Sequence, residues 1–125
     1  MSNRDLEKER SQFAYQRVKN AKEELKDKEQ NEYKAYCKKI PSMIQTNGLS
    51  ATTAFMFSKK GTYGFIYNQI DEWLIKKGEK RDEELIDWLI HINTSFEYRK
   101  ITIEVLAFFN WLRRFADGLI EKKVS

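Results

Sequence analysis

The stretch Ile40–Ser58 reads IPSMIQTNGLSATTAFMFS and carries no charge, in a chain of 125 residues that is 34% charged. It holds the only proline, Pro41, and the first glycine, Gly48. Ile40, Met43 and Ile44 continue an apolar face begun by Tyr33, Tyr36 and Cys37, at the i, i+3/i+4, i+7 spacing of one helix side. Asn47-Gly48 then stops that helix, because both residues tolerate the left-handed backbone of a C-terminal cap. Ser50 can cap a following helix, on which Ala51, Ala54 and Phe55 share one side and permit close approach. Pro41 removes one i→i−4 bond, so a kink or a break is expected there. The plain reading is a helix–turn–helix in the topological sense, buried and without chemistry of its own.

Working outward, composition agrees with an all-α fold. The chain has one proline and five glycines, few alternating strand-like runs, and enough apolar residues (41%, with 14% aromatic) for a real core. The length suits one domain, taken as residues 1–125. A net charge of +4 permits nucleic-acid binding without requiring it. A single cysteine excludes an internal disulfide and a Cys-based zinc site. The charged N-terminal region is unlike a signal peptide, and no apolar run is long enough to span a bilayer. A cytoplasmic location without a membrane partner is therefore expected.

Upstream of the uncharged stretch, Arg4–Lys28 reads as one helix of about 36 Å, uninterrupted by Gly or Pro. It sorts its side chains into three stripes. Leu6, Phe13, Ala14, Val18, Ala21 and Leu25 form the packing face. Asp5, Glu9, Glu23 and Asp27 form an acidic line. Arg4, Lys8, Tyr15, Lys19, Lys22 and Lys26 form a basic line with one aromatic. Like charges at i, i+4 mildly destabilise a helix, and a basic line with a ring suits a phosphate backbone with a stacking partner. A solvated face sorted by chance is the competing reading. A second helix covers Glu29–Thr46, with Lys34, Lys38 and Lys39 outward.

Downstream, Ser50–Ser58 forms the third helix, closed by Lys59-Lys60-Gly61. Thr62 caps a fourth running to about Lys77, which buries Phe65, Ile66, Ile70, Trp73 and Leu74. Asp82 caps a fifth, with Leu85, Trp88, Leu89 and Ile92 inward. Thr94-Ser95 opens a last helix to about Lys122. From Ile101 to Leu112 it is apolar over more than half its circumference, which marks the packing axis of a bundle of about six helices or a face covered by a partner.

Catalytic constellations are thin. Glu84, Asp87 and His91 share a helical side, but no second Glu-x-x-His helix accompanies them. Cys37 lies on the buried face, and no Gly-rich phosphate loop occurs. No catalytic residue, metal or cofactor is expected.

Two segments carry a family resemblance: IPSMIQTNGLSATTAF (Ile40–Phe55), around Pro41, Asn47, Gly48 and Leu49, and NWLRRFADGL (Asn110–Leu119) in the last helix. Together with the length and the long charged first helix, they resemble the small subunit of the type III-B (Cmr, RAMP-module) CRISPR effector complex. The resemblance implies an all-helical, non-catalytic protein of antiviral defence. Such subunits stack in a minor filament beside the crRNA-binding RAMP backbone subunits and help to form the groove for the guide–target RNA duplex. Cleavage belongs to the backbone subunits and cyclic oligoadenylate synthesis to the large subunit. The implied partners are those subunits, neighbouring copies of this chain, and crRNA–target RNA. Arg4, Lys8, Tyr15, Lys19, Lys22, Lys26, Arg113 and Arg114 become candidate RNA-binding residues, reading backbone and shape rather than sequence. The acidic line and exposed aromatics would serve head-to-tail contacts. An unrelated helical adaptor, the small subunit of a type III-A complex, or a metal enzyme using Glu84, Asp87 and His91 remain alternatives at this point.

Overall fold

The computed structural model describes residues 2–122. These form six helices, all-α as expected: α1 (Asn3–Glu24), α2 (Asp27–Asn47), α3 (Leu49–Lys59), α4 (Gly61–Lys76), α5 (Leu85–Ile90) and α6 (Ser95–Leu119). α6 packs along α1 and α2, and α3 packs on α4, α2 and α5. The buried side of α6 is Ile101, Val105, Phe108, Phe109, Leu112 and Ala116, which makes it the packing axis. Trp73 of α4 stacks on Phe108 at 5.5 Å between centroids, and Phe13 of α1 tilts against both rings. Such ring contacts add directional preference to apolar burial.

Buried polar groups tie the helices together. Tyr33 Oη donates to Gln69 Oε1 at 2.7 Å, and Gln69 Nε2 donates to the Arg17 carbonyl at 2.9 Å. Burial pushes the Tyr33 phenol well above its ordinary range. Lys34 Nζ donates to the Ile120 carbonyl at 2.9 Å, and Lys38 meets Asp117 at 3.0 Å, fastening α2 to the end of α6. Cys37 is fully buried, and burial pushes its thiol up to about 12, so it is no nucleophile.

Several local expectations are corrected. The first helix stops at Glu24, with Leu25 extended (φ −91°, ψ 145°), rather than reaching Lys28. The Gln30 amide donates to the Lys22 and Leu25 carbonyls, and the Glu29 carboxylate accepts the Lys26 N–H at 3.0 Å. Side chains thus satisfy the helix ends without a Gly or Pro to announce the break. Pro41 lies inside a continuous α2, without a break. Gly48 forms the turn at φ +92°. α3 begins at Leu49, and the Ser50 side chain does not cap it. Leu49, Thr52, Thr53 and Met56 form its buried face, while Ala51 and Ala54 are exposed.

Thr62 lies within α4 and donates to Glu32 at 2.7 Å instead of capping. α5 starts at Leu85 after an extended Glu84, so Asp82 is not its cap. Thr94 does cap α6, accepting the Glu97 N–H at 3.1 Å. That helix ends at Leu119 rather than near Lys122.

Candidate RNA interface on the first and last helices

The basic line of α1 stays in solvent: Arg4, Lys8, Lys19 and Lys22 are exposed. No ion pair neutralises them among the described residues. Of the acidic line, Asp5 and Glu23 are exposed on α1 and Glu9 is half-buried, while Asp27 falls outside that helix as the first residue of α2. Lys26 falls outside α1, at the N-cap position of α2, because the chain turns at Leu25.

Tyr15 is 42% exposed and meets Phe115 of α6 edge to face at 5.3 Å. Phe115 in turn stacks on Trp111 at 5.7 Å. A cation stands at each end of this ladder: Lys19 Nζ lies 5.6 Å over the Tyr15 ring, and Arg114 Cζ lies 5.9 Å over Trp111. The first helix and the last therefore share one basic, aromatic face. Such a face can hold phosphates by charge and bases by stacking, independently of sequence.

Arg113 and Arg114 diverge. Arg113 donates to Asn110 Oδ1 at 3.1 Å, on a concavity it shares with Pro41 and Gln45. Trp111 and Phe115 are the members of this face that sequence reading missed. They lie on either side of Arg113 and Arg114 in the sequence, but the apolar stretch Ile101–Leu112 takes in Trp111 and leaves Phe115, just beyond it, without a role.

A polar chain fixes the ladder to the interior. Trp111 Nε1 donates to Glu7 Oε2 at 3.1 Å, and Glu7 also pairs with Arg10. Arg10 forks onto Glu104 of α6 at 2.7 and 2.8 Å, and buried Trp73 donates to the same carboxylate at 3.1 Å. Burial pushes the Glu104 carboxyl up, but Arg10, Trp73 and Lys77 outweigh it and hold it below the usual range. A bidentate Arg–carboxylate pair adds geometric definition as well as energy, so α1 and α6 are held in register beneath the ladder.

The other candidate chemistry is not assembled. His91 Nδ1 sits 2.7 Å from the Asp87 carbonyl, while Glu84 accepts the Tyr67 hydroxyl at 2.8 Å. No group of His, Cys, Asp or Glu among the described residues could hold a metal ion. Likewise, no helix among them is long and apolar enough to cross a membrane.

Six helices among the described residues, with a turn at Gly48, make this a small all-α domain. The sequence model of the family described as CRISPR-associated protein (Cas_Cmr5) matches residues 6–119. The chain belongs to this Cmr5 family, the small subunit of the type III-B Cmr system. It is 31% identical over 113 residues to the CRISPR system Cmr subunit Cmr5 of Thermus thermophilus, covering 90% of this chain and 93% of that one. The crystal structure of a CRISPR-associated Cmr5 family protein, also from Thermus thermophilus, superposes with a TM-score of 0.77. It is 29% identical and covers 97% of this chain and all of that one.

Proposed function

We propose that this chain is a non-catalytic structural subunit of an RNA-guided Cmr effector complex in the cytoplasm, lining the groove for the guide–target RNA duplex. One helical domain stacks beside RAMP backbone subunits, the large subunit and further copies of itself in the minor filament. The observation that carries this reading is the joint face of α1 and α6, where exposed Arg4, Lys8, Lys19 and Lys22 flank the ladder Tyr15–Phe115–Trp111, with Arg114 at its far end. Lysines and arginines without ion-pair partners meet phosphates at little cost, since no pair must first be broken. Base pairing supplies specificity in such a complex, so the protein need read only backbone and shape. Lys26 stands apart from the ladder and contributes as an outlying phosphate contact, while Arg113, on the concavity with Pro41 and Gln45, faces a neighbouring subunit.

A tagged pull-down from the native cells, with proteins identified and bound RNA sequenced, tests the reading. Recovery of RAMP backbone subunits with repeat-derived guide RNA is expected. Recovery of the chain alone, or with unrelated proteins and no guide RNA, overturns it in favour of a helical adaptor.

A further inference from the structure

The outer side of α6 carries a second surface, remote in chemistry from the aromatic ladder. Phe96 and Ile103 stand one heptad apart on this helix and are 75% and 57% exposed. With Arg99, Lys100 and Glu104 they line a concavity of about 370 Å³. A second concavity of about 340 Å³ follows along the same helix, lined by Leu106, Ala107, Asn110 and Arg113 against Pro41 and Gln45 of α2. Single exposed apolar residues are ordinary, but apolar side chains at heptad spacing along one helix form a seam.

We infer that this seam docks an acidic amphipathic helix of a different protein chain. The inference rests on the reading that the chain works within an assembly. The charge around the seam sets the partner's sign. Arg99 has no ion pair among the described residues, and Lys100 reaches only Glu79, at 3.9 Å. Arg113 closes the far end, and the Glu104 carboxylate is already taken by Arg10 and Trp73. The occupant therefore brings carboxylates on both sides of an apolar line. From Phe96 to Arg113 the seam spans about 26 Å, the length of a helix of about 18 residues.

A second copy's α1 and α5 fit the seam poorly. The acidic line on α1 places Gln12 and Gln16 between half-buried Glu9 and exposed Glu23, and α5, with exposed Ile90 beside Asp87, is only six residues long, a third of the seam. Single-stranded RNA fits less well, because Phe96 is the one ring lining the two concavities and the rest of the apolar line, Ile103, Leu106 and Ala107, gives a base nothing to stack on.

Zero-length carbodiimide coupling of the assembly purified from native cells, followed by peptide mapping, tests the inference. The expected product joins Lys100 to an Asp or Glu of a different polypeptide, within a stretch whose apolar residues recur at helical spacing. The double variant Phe96→Ser, Ile103→Ser should reduce co-purification of that polypeptide at least tenfold and leave the melting of the isolated chain unchanged, since both side chains are exposed. Lys19→Glu with Lys22→Glu should retain the same polypeptide. Coupling of Lys100 only to another copy of this chain, no coupling, or full retention by the double variant would each overturn the inference. If the assembly with its guide RNA is recovered in those cases, the proposed function stands. If the chain comes out alone, both fall.

Discussion

The phenolic oxygen of Tyr98 on α6 accepts the backbone N–H of Ser50 at 2.8 Å, so the last helix caps the third. The first turn of α3 has no side-chain cap of its own. Tyr98→Phe should therefore cost about 1 kcal/mol, the worth of an N-cap hydrogen bond. Ser50→Ala should stay within about 0.5 kcal/mol, because only its backbone is used. Urea denaturation of the two variants separates them; equal losses would put the cap back on the serine hydroxyl.

Gly48 turns the chain at φ +92°, ψ 160°, a conformation that side chains disfavour. A Cβ there would lie 3.8 Å from Tyr98 Oη, an ordinary contact, so the penalty is backbone strain rather than collision. Gly48→Ala should lose about 1–3 kcal/mol, and the β-branched Gly48→Val more. Gly64, inside α4 with nothing within 4 Å of a built Cβ, gives the control. Gly64→Ala should gain about 0.5–1 kcal/mol. Thermal melts of the set check the signs.

Glu104 predicts an acid limb of stability. Its carboxyl is held below the usual range in the fold. Its ionised form therefore contributes stability above the unfolded-state value, and the contribution is lost as pH falls through the lower folded value. Glu104→Gln should cost about 3 kcal/mol at pH 7, because Arg10 and Lys77 lose the buried carboxylate charge and Arg10 keeps only the exposed Glu7. The deficit against wild type should narrow as pH falls below the ordinary glutamate value of about 4.3 and on through the lower folded value of Glu104. A pH-independent deficit, measured by denaturant midpoint, would remove this carboxylate from the acid limb.

Much of this architecture was legible because periodicity and turn chemistry agreed. The six helices, the stop at Gly48, the Thr94 cap and the axial α6 follow from apolar spacing and local residue chemistry. The misplaced details share one cause. Helix ends here are satisfied by side chains distant in sequence or lacking a standard signature. Gln30 and Glu29 end α1 and start α2, Tyr98 caps α3, and Thr62 is drawn away to Glu32.

For the site, one helix's stripe could be plotted from sequence, but its continuation onto α6 could not. Tyr15 finds Phe115 only once α1 lies along α6, and Trp111 is indistinguishable by spacing from the core residues beside it. The separation of Arg113 from Arg114 likewise depends on where α2 packs.

If the chain works as proposed, the α1–α6 face holds RNA by its phosphates. Target-RNA capture by the assembled complex, measured by filter binding across a salt series, tests it most directly. With Lys19→Glu, Lys22→Glu and Arg114→Glu combined, capture at low salt should fall at least tenfold. The gap should close as salt rises, and the log–log salt slope should become shallower by about 0.7 for each phosphate that the variant no longer neutralises. Capture equal to wild type across the whole series would contradict the claim and leave the stripe a solvated helix face.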